Sequence, residues 1–132
     1  NGHITVISSV TGKIGVPLRS AYAASKHALH GFFDTLRAEI WRENISISII
    51  CPGFIKTNIS KNALKADGTA QNTMDPATEK GIEPSALAEK IIQVISKKKE
   101  EIVIAGKENL AIYLKRFLPG LLSKIIKKAK VT

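Results

Sequence analysis

Tyr22 and Lys26 are the pair in this 132-residue chain whose types and spacing are best suited to chemistry. Residues four apart lie on one face of a helix, so the phenol and the ammonium group would be neighbours. An ammonium group favours the phenolate, and a phenol activated in this way can exchange a proton with an alcohol or carbonyl oxygen. Because the same spacing is common on solvated helix faces, the interpretation depends on the surrounding elements.

Ser9 is the second candidate for chemistry and lies thirteen residues before Tyr22. It follows a run of β-branched residues that predicts a strand at 4–7. Parallel sheets carry their active groups at the carboxyl ends of the strands, which is where Ser9 would lie. Its hydroxyl could therefore hold the same oxygen that Tyr22 protonates.

Predicted strands and helices alternate along the chain. Hydrophobic periodicity predicts strands at 4–7, 45–50 and 102–105, and helices at 21–42, 84–97 and 108–130. This order is typical of parallel strands joined by helical crossovers, so we predict an α/β layered fold. The irregular segment 58–81, with few large apolar residues, is predicted to be a substrate lid that holds one short helix.

The first predicted helix has apolar residues at helical spacing, and Ser20 is its predicted N-cap. We expect Leu29, Phe33 and Trp41 to widen the apolar stripe, and Asn44 to end the helix. The stripe itself is predicted to consist of Ala21, Ala24, Ala28, Phe32, Leu36 and Ile40.

The composition narrows the class of protein. Hydrophobic residues make up 44% and charged residues 23% of the chain, which is typical of a globular domain. A single cysteine, Cys51, excludes an internal disulfide and suits a reducing compartment such as the cytoplasm. His3, His27 and His30 form no ligand motif, so no metal site is predicted. No apolar run approaches the roughly 20 residues of a membrane-spanning helix.

The C-terminal segment carries most of the positive charge. From Lys107 to Thr132 there are seven basic residues and one acidic residue, so this segment holds six of the nine net charges. Segment 107–130 is predicted to be a basic amphipathic helix, interrupted at Pro119-Gly120. One interpretation places it on an anionic membrane surface. The others make it a cap over the substrate cleft or a subunit contact. No motif for binding nucleic acid is present.

Three motifs resemble the C-terminal half of a short-chain dehydrogenase/reductase. They are Gly2–Ser9 (GHITVISS), Tyr22–Lys26 (YAASK) and Cys51–Thr57 (CPGFIKT), in the family's order and spacing. The resemblance implies the last three strands of a doubly wound parallel sheet, a Rossmann fold with three αβα layers. It also implies that residues 1–132 are a partial NAD(P)-binding domain, because the Gly-rich turn that binds the pyrophosphate does not occur in this sequence.

The resemblance implies a role for each motif residue. Tyr22 would be the general acid/base, Ser9 would bind the substrate oxygen, and Lys26 would bind the nicotinamide ribose and tune Tyr22. Ser8 is the neighbouring candidate for the serine role, and the spacing to Tyr22 favours Ser9. The remaining expected contacts are those of the nicotinamide with Pro52, Gly53, the Ile55 backbone and the Thr57 hydroxyl, and that of the substrate with Ile59.

The implied function is an NAD- or NADP-dependent oxidoreductase that interconverts an alcohol and a carbonyl. We expect a small, lipophilic substrate and no turnover by the 132 residues alone. The strand at 4–7 would lack its family neighbour and expose an open edge, so we also expect a homo-oligomer. The alternative is a non-catalytic fragment that acts as a basic membrane-surface or self-associating module.

Overall fold

Three parallel strands form the sheet that positions the candidate site. The computed structural model describes residues 1–64 and 67–129. Within them β1 spans Gly2–Ile7, β2 spans Ile45–Pro52 and β3 spans Glu101–Ile104. The strand order is β1-β2-β3 and both pairings are parallel. The predicted α/β fold is confirmed, and β2 runs two residues further than predicted.

Helices cover both faces of this sheet. They are α1 (Ser20–Glu39), α2 (Ile59–Asn62), α3 (Pro76–Glu79), α4 (Pro84–Ser96), α5 (Glu108–Phe117) and α6 (Pro119–Ile126). On one face α1 packs beside α5 and α6, and on the other face lies α4. The sheet is therefore the middle of three layers, as predicted.

The core is centred on β2, which is buried on both faces. Ile49 and Cys51 face α1, whereas Ile50 faces α4 and contacts Val94 and Ile104. Ile49, Ile50 and Cys51 have no exposed surface. Burial on both sides explains why this strand ends in an unbroken apolar run.

The predicted apolar stripe of α1 is correct only in part. Leu29, Phe33, Leu36 and Ile40 pack on the core as predicted, and Ala23 and His30 are also buried. The other predicted members are exposed: Ala21, Ala24, Ala28, Phe32 and Trp41. Apolar residues occur on two sides of this helix, so the sequence pattern alone does not select the side that packs on β2.

Both ends of α1 also differ from the prediction. The helix begins at Ser20, and Arg19 occupies the N-cap position without a side-chain hydrogen bond. It ends at Glu39, short of the predicted Arg42. Asn44 adopts a left-handed φ of 50° in the turn that leads into β2, a conformation that asparagine tolerates better than most residues.

The predicted C-terminal helix is two helices. Helix α5 ends at Phe117, Leu118 separates the two helices, and Pro119 is the first residue of α6. A proline has no N–H and its ring clashes with the preceding turn, so it can begin a helix but not continue one. Lys130, the predicted end, lies outside the described residues. Within the described part, no helix is long and apolar enough to cross a membrane.

The segment predicted as a lid holds two short helices, α2 and α3, rather than one. Asp75 caps α3 by accepting a hydrogen bond from the Ala77 N–H. The segment is closed at its base because the Lys56 N–H donates to the Ile82 carbonyl, and the Ile82 N–H donates to the Phe54 carbonyl. Gly81 permits this approach, since a Cβ there would lie 2.7 Å from the Phe54 oxygen.

Gly12 allows the turn after β1 to pack tightly beneath α1. A Cβ at this position would lie 2.5 Å from Ser8 Oγ and 3.0 Å from the Lys26 carbonyl oxygen. Gly12→Ala should therefore lower the free energy of unfolding by about 1–3 kcal/mol, the usual cost of overpacking. Gly15→Ala is the matched control, because a Cβ at Gly15 would meet no atom within 4 Å. Equal stability of the two variants in urea unfolding would contradict this account.

Candidate functional site

The carboxyl ends of β1 and β2 lie side by side and form the base of the candidate site. The Ser8 N–H donates to the Ile50 carbonyl at 2.7 Å, which continues the ladder one residue beyond β1. Ser9 follows directly, and Gly53 follows β2. Two of the three sequence motifs are therefore neighbours at the carboxyl ends of the strands, where α/β folds bind their ligands.

Helix α1 brings the third motif to the same edge. Lys26 Nζ donates a 3.0 Å hydrogen bond to the Ile7 carbonyl at the end of β1. The same ammonium lies 5.7 Å from the centre of the Tyr22 ring, and the Tyr22 side chain is partly exposed. The phenol and the ammonium group are therefore neighbours, as the spacing predicts. Lys26 is held by the strand that leads into Ser9.

Ser9 is oriented by the 3₁₀ turn that it caps, Val10–Gly12. Its Oγ accepts hydrogen bonds from the Thr11 N–H at 3.2 Å and from Thr11 Oγ1 at 2.9 Å. A hydroxyl has two acceptor sites and one hydrogen. With Thr11 as the donor of both bonds, the Ser9 hydrogen is left to donate to a third group, and residues 1–64 and 67–129 make no such hydrogen bond. A ligand oxygen at this edge is the partner that fits.

Ser8, the alternative to Ser9, points into the interior. It is only 3% exposed. Its hydroxyl bonds to His30 Nε2 at 3.0 Å and donates a longer 3.4 Å bond to the Lys26 carbonyl. Ser8 therefore joins β1 to the backbone of α1, and Ser9 is the more accessible of the two hydroxyls.

His30 is the centre of a polar cluster that the sequence analysis did not find. Its Nε2 lies 3.6 Å from Cys51 Sγ, and its Nδ1 lies 3.3 Å from a Glu101 carboxylate oxygen that also pairs with Lys13. Burial, and secondarily the positive charge of Lys13, lower the pKa of His30 below its usual value. One available signal was its spacing of four residues from Lys26, which places both on the buried side of α1.

This cluster is poorly suited to a metal ion. Its potential ligand atoms, on His30, Cys51 and Glu101, lie within 4.8 Å of one another. However, Cys51 and Glu101 approach opposite nitrogens of the imidazole, and the Lys13 ammonium already occupies the carboxylate. Burial also raises the pKa of the Cys51 thiol to about 11, which disfavours the thiolate that a metal would need. The cluster fits a buried polar junction.

The loop after β2 has the features expected of a cofactor-binding segment. Pro52 is buried, and the Gly53 N–H donates to the Ile104 carbonyl at 2.9 Å. Ile55 pairs with Ile82 in an isolated parallel bridge. The hydrogen bonds of this bridge join Ile82 to Phe54 and Lys56, the residues on either side of Ile55. The N–H and C=O of Ile55 itself therefore point away from that bridge and have no backbone partner among the described residues.

The remaining predicted contacts lie at the start of the lid. Thr57 is exposed, and its Oγ1 accepts a long 3.4 Å hydrogen bond from the Ile59 N–H. Ile59 is 70% exposed and touches no core cluster of the described residues. Beside this loop, a cavity of about 360 Å³ opens between Phe54, Lys80, Ile82, Lys107 and Glu108. The lid thus borders a cavity at the carboxyl ends of β2 and β3.

Comparisons with known proteins agree with the sequence motifs. The profile of the family described as "short chain dehydrogenase" matches residues 1–68. The chain is 46% identical over 126 residues to the cattle protein "Dehydrogenase/reductase SDR family member 7B", covering 95% of this chain and 39% of that protein. It is 43% identical to the Drosophila melanogaster protein "Dehydrogenase/reductase SDR family protein 7-like", covering 99% of this chain and 40% of that one. The chain therefore spans about two fifths of these relatives.

Solved structures share the fold. A short chain dehydrogenase from Burkholderia cenocepacia, in complex with NADP, superposes with a TM-score of 0.76 at 16% identity, covering 98% of this chain and 48% of that one. A short chain dehydrogenase/reductase from Burkholderia phymatum, in complex with NAD, gives 0.72 at 20% identity, with 90% and 48% covered. At these sequence identities the similarity shows that the fold is shared.

The lowered pKa of His30 predicts loss of stability in mild acid. Above the unfolded-state pKa, His30 is neutral in both states and its junction is intact. As the pH falls below that value, the unfolded chain binds a proton first, so the free energy of unfolding decreases until the folded-state pKa is passed. Urea unfolding at pH 7.5 and 5.5 should show this decrease, and His30→Gln should reduce it. An unaltered decrease in His30→Gln would refute the assignment.

The buried Cys51 thiol should be inert in the folded protein. Its surface is fully covered and its pKa is raised to about 11, so neither access nor thiolate is available near neutral pH. A thiol-specific chromogenic reagent should react with one equivalent per chain in denaturant and at least tenfold more slowly without it. Equally rapid labelling of the native protein would show that the end of β2 opens readily.

Proposed function

Because the chain belongs to the short chain dehydrogenase family, we propose that it forms the catalytic part of an NAD- or NADP-dependent oxidoreductase that interconverts an alcohol and a carbonyl. The observation that carries this proposal is the contact of Lys26 Nζ with both the end of β1 and the Tyr22 ring. It brings a phenol, an ammonium group and the free hydrogen of Ser9 to one edge of the sheet. These are the groups that a carbonyl oxygen requires as its charge develops.

In the reduction direction, Tyr22 donates its phenolic proton to the carbonyl oxygen of the substrate. Ser9 donates a hydrogen bond to the same oxygen, because its acceptor sites are filled by Thr11. The Lys26 ammonium stabilises the negative charge left on the phenolate. In the oxidation direction the same groups act in reverse, and the phenolate accepts the hydroxyl proton.

The loop after β2 fits a nicotinamide. The N–H and C=O of Ile55, left without backbone partners, match the oxygen and the amino group of a carboxamide. Thr57 presents a further hydroxyl two residues along, and Pro52 and Gly53 come just before this segment. We propose that Lys26 also binds the nicotinamide ribose. When bound, the dinucleotide supplies or accepts the hydride.

The substrate of this site would be a small, lipophilic carbonyl or alcohol. Phe54 and Ile82 give the cavity at the ends of β2 and β3 an apolar wall. Ile59 in the predicted lid is an exposed apolar residue, and closure of the lid over the substrate would bury it and exclude water.

Turnover also requires the pyrophosphate site, and no Gly-rich turn occurs in these 132 residues. We propose that these residues alone do not turn over. The outer edge of β1 has no partner strand in the described residues. Such an edge needs to be paired, either by further strands of the polypeptide or by a second copy of the chain. Self-association through this edge is the second, non-catalytic candidate function.

Tyr22→Phe should abolish turnover without abolishing cofactor binding. The variant would be prepared in a polypeptide that joins this chain to a family half with the Gly-rich turn. Loss of a general acid/base costs about 10²–10⁴-fold in rate, measured as oxidation of NADH or NADPH with a panel of lipophilic ketones. Nicotinamide fluorescence would report cofactor binding.

Tyr113→Phe is the matched control for this experiment, because it removes an exposed phenol from α5, outside the site. It should retain the rate of the unmodified enzyme. Turnover that survives in Tyr22→Phe would rule out Tyr22 as the acid/base. Loss of turnover in both variants would show that the effect is not specific to the site.

A further inference from the structure

Helices α5 and α6 expose an unusual concentration of large apolar side chains. Six of the sixteen that are exposed in the described residues lie on these two helices and at the break between them. On each helix they repeat at spacings of three and four, so they form a continuous stripe on one side. This stripe, called the outer row, consists of Leu110, Tyr113, Phe117, Leu118, Leu121 and Ile125.

The outer row is not a part of the core that has been left open. Other residues of α5 and α6 already pack on the turn after β1, where Leu122 joins Val10 and Ile14 in a buried cluster. On α6 the packed Leu122 and Ile126 each directly follow an outer-row residue, so the outer row borders the packed side of this helix and is still exposed. A second surface is needed to bury the outer row.

The charges around the outer row are almost all positive. In the described segment 107–129 there are six basic residues and one acid, Glu108, a net charge of five. All six basic residues are exposed, and Lys115 donates to the Lys13 carbonyl at 2.8 Å. The other five lie on the helices and at their ends: Lys107, Arg116, Lys124, Lys127 and Lys128. A partner that can bury apolar side chains and that carries negative charge complements this surface.

The free edge of β1 and the outer row are separate surfaces. Strands that pair with β1 extend the sheet away from β3, because β3 forms the opposite edge. Helices α5 and α6 follow β3 and contact Val103 and Ala105, and they also pack on Val10 and Ile14 in the turn after β1. The outer row consists of side chains on these helices and does not include the backbone edge that further strands would pair.

We propose that the outer row rests on an anionic membrane surface. Its apolar side chains would enter the boundary between headgroups and acyl chains, and the surrounding lysines and arginine would lie over anionic headgroups. Helices of ten and eight residues are about 15 and 12 Å long, too short to cross a core of roughly 30 Å, so they would lie flat. This inference does not depend on the proposed enzymatic activity.

Co-sedimentation of the purified protein with lipid vesicles tests the proposal. The protein should bind vesicles of phosphatidylcholine that contain about 30% phosphatidylserine, and should bind pure phosphatidylcholine at least tenfold more weakly, with binding that falls as salt is raised. The combined change Leu110→Ser, Phe117→Ser and Leu121→Ser should reduce binding to the anionic vesicles by about tenfold or more. Circular dichroism would verify that helix content is retained.

Two controls distinguish binding through the outer row from non-specific hydrophobic binding and from an effect of net charge alone. Phe32→Ser with Ile92→Ser removes exposed apolar side chains from α1 and α4 and should leave vesicle binding unchanged. Lys124→Glu with Lys127→Glu should weaken binding strongly, whereas Lys90→Glu with Lys97→Glu, the same change in net charge at α4, should weaken it much less.

Three results would overturn the proposal. The first is that the unmodified protein fails to bind anionic vesicles. The second is that the serine variant of the outer row binds as tightly as the unmodified protein. The third is that the serine substitutions convert a dimer into a monomer while vesicle binding stays unchanged, which would assign the outer row to a second copy of the chain.

Discussion

The parallel pairing of β1 with β2 is the constraint on which the site depends. Its register places Ile7 opposite Ile50, so the two strands end at the same edge of the sheet. A parallel pair must be joined by a crossover that returns along the sheet, and α1 is that crossover. The first turns of α1 lie at the carboxyl end of β1. They place Lys26 on the last carbonyl of β1 and bring Tyr22 to the same place. The chemical groups meet because the strands are parallel.

A buried polar junction supports this edge from beneath. Ser8 and His30 link the end of β1 to the backbone of α1, and Gly12 leaves them the space to do so. The Nε2 of His30 is hydrogen-bonded to Ser8, whereas its buried Nδ1 has no hydrogen-bond partner among the described residues and lies 3.3 Å from a Glu101 carboxylate oxygen. Burial keeps His30 neutral, and the junction is therefore suited to neutral rather than acidic solution.

The chain presents two surfaces that its own fold does not satisfy, and they differ in physical kind. The edge of β1 offers unpaired backbone donors and acceptors, which only another strand can pair in an ordered way. The outer row of α5 and α6 offers apolar side chains framed by positive charge, which suits a fluid, anionic surface. The first is the backbone edge of a strand, and the second is a set of side chains on two helices that follow β3.

The amino-acid sequence by itself determined the parallel α/β order, the spacing of Tyr22 and Lys26, and the family, because these features rest on patterns between near neighbours in the chain. It did not determine which side of α1 is buried, since apolar residues occur on two sides and only packing against β2 separates the packed Phe33 from the exposed Phe32. It also missed the junction at His30. The residues of that junction come from four separate elements, and only the register of the sheet and the docking of α1 bring them together.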